Sequence, residues 1–171
     1  INGNSGWGLG SNLMNGSIVV KKNAGASVAC SMRNGQVCVY GNAGARAGIA
    51  MKGGQLIIGG NSGYLTGYMM QKGKIIVCGN VGDAVGDSMY EGEIYVGGKI
   101  TSLGNDAKIV EPTQKELNQI IKKLKENNVI YSMAYGDQPS LILEQIEWAR
   151  LNGFFVTCAG KGTKYHPSFE Y

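Results

Sequence analysis

Residues 80–98 decide the fold, and they read Asn80-Val-Gly82-Asp-Ala-Val-Gly86-Asp-Ser-Met89-Tyr-Glu-Gly92-Glu-Ile94-Tyr-Val96-Gly-Gly98. The same residue types recur at intervals of 19 along the preceding chain, so this segment is the last of five copies. An asparagine opens each copy, and a glycine stands two places later: Asn4 and Gly6, Asn23 and Gly25, Asn42 and Gly44, Asn61 and Gly63, Asn80 and Gly82. A second glycine is common to all five copies: Gly16, Gly35, Gly54, Gly73 and Gly92. A fixed period of this length is typical of a repeat protein.

Each copy closes on a short strand pattern, whose first and third positions carry Ile, Val or Leu. A Met or Leu stands five places before the strand in every copy. One copy is too short to bury these side chains, whereas stacked copies bury them against one another. At a strand spacing of about 4.8 Å, five coils form a prism about 24 Å long. The sequence therefore predicts a mainly β fold, a right-handed parallel β-helix with 19-residue coils, because parallel crossovers are right-handed in nearly all cases.

The shared glycines and asparagines are predicted to form the corners of the coils. Glycine permits a positive φ or a close approach between neighbouring coils. The asparagines fit a tight corner in the left-handed region, or a stack whose side-chain amides hydrogen-bond from coil to coil. We interpret these positions as structural rather than functional.

The middle residue of each strand points out of the prism, and the column is apolar. Its members are Val19, Cys38, Ile57, Ile76 and Tyr95. Five exposed apolar side chains in a row form a patch that requires a partner. We therefore expect this outer column to be a contact surface, covered either by the C-terminal part of the chain or by another subunit, which includes a homo-oligomer.

The repeat stops after Gly98, and we divide the chain into a β-helix over residues 1–104 and an α/β appendage over residues 105–171. Thr113-Gln-Lys-Glu116 matches a capping box at the start of a helix. Four residues at helical spacing predict the apolar face of that helix: Leu117, Ile120, Ile121 and Leu124. Asn127-Asn128 is predicted to end it.

Further along the appendage, the pattern predicts three more elements: a short strand over 129–135, a helix from Pro139 to Asn152-Gly153, and a strand at Phe154-Phe155-Val156. We expect the helices to lie along the side of the β-helix and to close its open end, because bare coil edges invite aggregation.

Charge and composition exclude several classes of protein. The chain of 171 residues has 16 basic and 12 acidic residues, a net charge of +4, which is too evenly spread for a nucleic-acid binder. No apolar run is long enough to span a membrane. The four cysteines, at 30, 38, 78 and 158, fit neither a zinc pair nor a disulfide framework. We expect reduced thiols packed as small apolar groups, and a cytoplasmic protein.

No set of side chains suited to catalysis can be assembled from the sequence, and we predict no catalytic, cofactor or metal residue. His166 is the only histidine and lies in the tail, where surface exposure is its ordinary role. Residues 160–167 offer backbone N–H groups to an anion but lack the context of a phosphate loop. Asp83 and Asp87 are either solvated acids or ligands to a hard cation.

The unit N-x-G-x-x-x-(G/A)-x-x-(M/L)-x-x-G-x-(I/V/L)-x-(V/I) resembles the GXGXG domain at the C-terminus of the glutamate synthase large subunit. The segments 42–54 and 80–98 carry the resemblance most clearly, and it covers about residues 1–104. The resemblance implies a right-handed β-helix without catalytic residues. It implies a role in nitrogen metabolism beside partner domains: an amidotransferase that releases ammonia from glutamine, and a synthase that holds the FMN and the iron–sulfur cluster.

Two alternatives remain at this stage. The structural C subunit of formylmethanofuran dehydrogenase has a similar domain and is the nearer one. An enzyme built on a solenoid, such as an acyltransferase or a carbohydrate-active protein, is less favoured. The coils contain no histidine, and their only acids are Asp83, Asp87, Glu91 and Glu93.

Overall fold

The computed structural model describes residues 1–129 and the backbone of a strand at 154–158. These residues contain seven strands and one helix, in the order β1 Ser17–Val20, β2 Gln36–Val39, β3 Lys52–Ile58, β4 Lys72–Val77, β5 Glu93–Val96, β6 Ala107–Val110, α1 Gln114–Glu126 and β7 Phe154–Cys158. All seven strands belong to one sheet in the order β1-β2-β3-β4-β5-β7-β6.

The first five strands confirm the right-handed β-helix. They are parallel, and each residue pairs with the residue 19 places later, as in Ile18 with Val37 and Val37 with Leu56. A second ladder of isolated parallel bridges follows the same period on another side of the prism: Ser5, Ala24, Ala43, Ser62, Val81 and Ile100. Four full turns therefore separate β1 from β5.

The interior of the prism is filled as predicted. The first strand position is fully buried from the second coil onward, as at Val37 and Leu56, and the third position is buried throughout. The methionine column is buried with them at Met32, Met51 and Met70. Together with small residues of the bridge ladder, these columns form one continuous core.

The shared glycines play two different parts. Those at the start of the strand have a positive φ, such as +84° at Gly35 and +75° at Gly54. Those that follow the asparagine allow close approach instead, since a β-carbon on Gly44 would lie 2.7 Å from the backbone nitrogen of Ala26 in the coil below.

The five asparagines form a ladder of hydrogen bonds from coil to coil, and the sequence did not reveal which groups form these bonds. None of the five has a positive φ. Each side-chain Oδ1 accepts a hydrogen bond from the backbone N–H of the residue 19 places later, at 2.8–3.0 Å, and the last bond comes from Lys99. The amides bond to backbone rather than to one another, because that satisfies an N–H group that the corner turns away from the sheet.

A further regularity lies in the turns between the bridge ladder and the strand. Alternate residues adopt the left-handed conformation, as at Ser27, Ala29 and Ser31, with φ between 52° and 58°. Their N–H groups bond to neighbouring coils: Ser27 donates to Ala45 O at 2.8 Å, and Ala29 donates to Leu9 O at 2.7 Å. The sequence pattern did not reveal these positions, since most of their residues are not glycine.

The appendage begins by extending the same sheet. Strand β7 runs antiparallel between β5 and β6, pairing Ile94 with Val156 on one side and Ile109 with Val156 on the other. The predicted strand at 154–156 is thus confirmed, and it covers the last coil of the β-helix. The predicted helix is confirmed as α1. Of the strand predicted over 129–135, only Val129 is described, and it is not part of a strand. The helix predicted from Pro139 and residues 160–167 with His166 lie outside the described residues.

Candidate contact surface

The outer column is covered by the chain itself. Cys38 and Ile57 are fully buried, and Ile76 and Tyr95 are 3% and 5% exposed. They form a second apolar cluster with Val129, against which Ile120 and Leu124 of α1 pack. Only Val19, in the first coil, is partly exposed. The sequence left open whether the C-terminal part of the chain or another subunit covers the outer column. In the described residues, the C-terminal part of the chain covers it.

Hydrogen bonds at both ends of α1 hold the helix over the column. The Thr113 side chain accepts a hydrogen bond from Glu116 N–H, and the Glu116 carboxylate accepts one from Thr113 N–H at 2.7 Å, which completes the capping box. Both bonds fix the first turn, and the Thr113 hydroxyl holds the pKa of Glu116 below its usual value. At the other end, the Asn127 side chain accepts a hydrogen bond from Gln36 in β2. This contact anchors the C-terminal end of α1 to the β-helix.

Just past the helix, Val129 occupies a notch in the wall of the coils. The notch exists because Gly59 has no side chain, and a β-carbon there would lie 3.2 Å from Val129 Cγ1. Tyr40 and Cys78, which hold the equivalent positions one coil below and one coil above, pack against the same cluster. Gly59 therefore admits both the backbone of Tyr40 in the coil below and the side chain of Val129.

A polar group borders the column in the upper coils. Tyr95 donates its hydroxyl hydrogen to Glu93 at 2.9 Å, and Glu93 forms an ion pair with Lys74 at 2.6 Å. The Lys74 ammonium also lies 5.7 Å from the centre of the Tyr95 ring. Burial, together with the hydrogen bond to Glu93, raises the pKa of Tyr95 far above its usual value. The tyrosine is thus held as a neutral donor under the helix.

The thiols in this region are inert groups rather than nucleophiles. Cys30, Cys38 and Cys78 are free, which confirms the prediction for these three cysteines. Burial raises the pKa of Cys38 to about 11 and that of Cys78 to about 12. Since the thiolate is the reactive form, both are unreactive at neutral pH.

The acidic pair that the sequence left as solvated acids or cation ligands accepts hydrogen bonds from residues 18 and 19 places later. Asp83 accepts a hydrogen bond from the Ser102 hydroxyl at 3.1 Å, and Asp87 accepts one from Asn105 N–H at 3.2 Å. Within the described residues, no group of three or more His, Cys, Asp or Glu side chains is arranged to hold a metal ion. In the same part of the chain, no helix is both long and apolar enough to cross a membrane.

One surface feature was missed by the sequence reasoning. A groove of about 610 Å³ runs along the corner that precedes β3, β4 and β5, and we call it the corner groove. Its main lining side chains are Lys52, Met69, Gln71, Lys72, Tyr90 and Glu91. The 19-residue period aligns Lys52 with Gln71, but an irregularity in register between β3 and β4 pairs Lys52 with Lys72 instead.

The two most exposed large side chains do not belong to the outer column. Trp7 is 87% exposed and Tyr90 is 76% exposed, and both belong to the coils.

A scan of the chain against protein-family models gave no match, and a search of curated proteins gave none either.

Proposed function

We propose that the chain is a non-catalytic scaffold module of a glutamate-synthase-type complex in nitrogen assimilation. In this role it braces a glutamine amidotransferase module against a synthase module that carries FMN and an iron–sulfur cluster. The β-helix itself holds neither cofactor under this proposal. Its rigidity keeps the two partner modules at a constant separation.

One observation carries the proposal: the residues that define the repeat are all used to stack the coils. The asparagine side chains bond to the backbone of the next coil, as Asn42 does to Asn61 N–H at 2.8 Å. One set of glycines adopts a positive φ, and the other admits the neighbouring coil. Because the repeated residues of the motif serve the stacking of the coils, they support a structural role for this β-helix.

Partners of such a scaffold must meet the faces that α1 leaves open. The helix occupies the outer column from Cys38 to Tyr95, so that surface is already filled. Trp7 is the most exposed of the large apolar side chains in the coils. Because tryptophan often dominates the energy of protein interfaces, Trp7 is the residue to test first.

A reconstitution experiment tests the proposal. The full chain is mixed with amidotransferase and FMN-containing synthase modules of a glutamate synthase from which the native β-helix has been removed. We expect co-elution in size-exclusion chromatography, and more glutamate formed per glutamine hydrolysed than without the chain. Trp7→Ser is expected to weaken co-elution, whereas Tyr64→Ser, a matched exposed aromatic, serves as the control.

Failure of both modules to co-elute with the folded chain would contradict the proposal. Co-elution with the other subunits of a formylmethanofuran dehydrogenase instead would favour the alternative structural role. Glutaminase activity of the purified chain alone would contradict both.

A further inference from the structure

The corner groove brings two lysines side by side on neighbouring strands. Lys52 and Lys72 are paired residues of β3 and β4, so their α-carbons are separated by about the strand spacing of 4.8 Å. Met51 O accepts two hydrogen bonds: one from Gln71 N–H at 2.8 Å, which follows the 19-residue period, and one from Lys72 N–H at 3.2 Å, which belongs to the Lys52–Lys72 pairing. Like charges in directly opposed positions of a sheet repel each other.

In the described part of the chain no ion pair joins either lysine to an acid, although Glu91 follows Lys72 by 19 residues and stands one coil above it. The ion pairs found there involve Lys74, Lys122 and Lys123 and do not reach the groove. Arg33 precedes Lys52 by 19 residues and is exposed on the same corner, which adds a third positive charge. Glu91 is the one acid among the lining residues, so the groove keeps an excess of positive charge.

The upper coil of the groove contributes an aromatic ring beside two polar residues, Ser88 and Glu91. That ring is Tyr90, which stands one coil above Lys72 and two coils above Lys52, and its N–H donates to Met70 O at 2.8 Å. Its ring is 76% exposed, and the Met69 side chain beside it is 49% exposed. An exposed tyrosine ring next to a thioether offers a flat surface on which a planar ring can stack.

The irregularity in register is what creates this arrangement. With the regular 19-residue offset, Lys52 would stand beside uncharged Gln71. Strand irregularities of this kind redirect side chains and are common near functional sites.

We propose that the corner groove binds a phosphate monoester attached to a planar ring, a ligand of the nucleoside monophosphate class. Lys52 and Lys72 hold the phosphate between their ammonium groups, and the ring stacks on Tyr90 and Met69. The ligand relieves the repulsion between the lysines. This site is distinct from Trp7, the residue that tests the scaffold role, since Trp7 does not line the groove.

Isothermal titration calorimetry with the full chain and adenosine 5′-monophosphate tests the proposal. Adenosine, which lacks the phosphate, and inorganic phosphate, which lacks the ring, are each expected to bind at least about tenfold more weakly. Lys52→Gln/Lys72→Gln is expected to weaken nucleotide binding by a further factor of about ten or more. The matched control is Lys22→Gln/Lys99→Gln, which removes the same charge from exposed positions on another corner.

Two single variants separate the parts of the site. Tyr90→Ala is expected to abolish the preference for the nucleotide over inorganic phosphate, while Tyr64→Ala leaves that preference intact. Glu91→Gln is expected to tighten nucleotide binding, because it removes the one negative charge near the phosphate.

Three results would overturn the proposal. The first is the absence of nucleotide binding at millimolar concentration by the folded protein. The second is an equal loss of binding in the control pair of lysines, which would show a general charge effect. The third is tighter binding of a Glu-rich peptide with the same dependence on Lys52 and Lys72, which would make the groove a docking surface for an acidic protein segment.

Discussion

At the scale of single residues, the positive-φ glycines combine two separable constraints. Gly16 and Gly35 are equivalent positions of successive copies, with φ of +97° and +84°. A β-carbon on Gly16 meets nothing within 4 Å, whereas one on Gly35 would lie 2.5 Å from Gly16 O. The first position therefore tests conformation alone, and the second tests conformation together with stacking.

We predict that Gly16→Ala lowers the free energy of unfolding by about 1–2 kcal/mol, the cost of a left-handed alanine. Gly35→Ala should lower it by several kcal/mol, because the methyl group also collides with the backbone of the coil below. Urea titration followed by circular dichroism measures both. Equal losses in the two variants would show that coil contact at this corner adds nothing.

The buried thiols predict a dependence of stability on pH. The pKa of Cys38 rises from about 9.0 to about 11 in the folded chain because of burial. A raised pKa means that the contribution of this group is complete below pH 9 and is lost as the pH climbs toward 11, where the unfolded chain releases its proton first. Stability should thus fall across that window.

Urea midpoints measured between pH 8 and pH 11 check this prediction. Cys38→Ala should be less stable than the wild type at pH 8, yet its midpoint should decline less steeply above pH 9. Other ionisable groups also titrate in this range, so the quantity to compare is the slope of the urea midpoint against pH in the variant and in the wild type. Parallel slopes would assign the alkaline loss of stability to those other groups.

The residue scale also shows the limits of sequence reasoning. The interior of the coils was predictable, because a 19-residue period assigns each apolar side chain to one face. The positive φ of Ser27 or Ala29 was not, since nothing in a serine or an alanine marks a left-handed residue. The pairing of Lys52 with Lys72 was hidden for a related reason: it depends on a break in the very period used for the alignment.

At the scale of elements, α1 is a cover whose apolar face matches the outer column. Its helix signals were readable because capping boxes and apolar spacing are local features. Its position over Cys38 and Ile57 was left open, because the site on which an amphipathic helix packs is set by contacts distant in sequence. The antiparallel insertion of β7 between β5 and β6 was unpredictable on the same grounds.

We predict that Ile120→Asp detaches the helix from the column. A carboxylate on this face would be partly buried without a partner, at a cost of about 1–3 kcal/mol. Increased fluorescence of a dye that binds apolar surface, together with a lower urea midpoint, is the expected result. Gln119→Asp places the same charge on the exposed side of the helix and should leave both readings unchanged. If Ile120→Asp behaved like this control, the helix would not be what shields the column.

At the scale of the whole molecule, the β-helix is a linear stack in which coils contact only their neighbours. One whole coil can therefore be deleted if the deletion keeps the pairing register of the remaining strands. Deleting residues 36–54 joins Gly35 to Gln55, and Gln55 takes the place of Gln36 in the next coil.

We predict that this deletion yields a shorter, folded protein that unfolds cooperatively at a lower urea concentration. Deleting residues 37–54 instead removes one residue fewer and inserts an extra residue at the start of a strand. Because a shift of one residue sends each side chain to the opposite face, the second variant should be far less stable or fail to fold. Circular dichroism and size-exclusion chromatography distinguish the two. Equal behaviour would mean that the corners absorb insertions freely.

The left-handed turn residues have a consequence for how the chain folds. Ten residues of the coils that are not glycine have a positive φ: Asn12, Ser27, Ala29, Ser31, Arg46, Ala50, Leu65, Met69, Ala84 and Ser88. At roughly 1 kcal/mol each, their intrinsic preference opposes the native turns by about 10 kcal/mol in total. A single isolated coil is therefore not expected to be stable. The folding nucleus must include neighbouring coils, whose contacting residues are 19 apart in sequence. Such a nucleus must order two coils before their mutual contacts offset the strained turns, so we expect the first pair of coils to limit the folding rate and later coils to add readily.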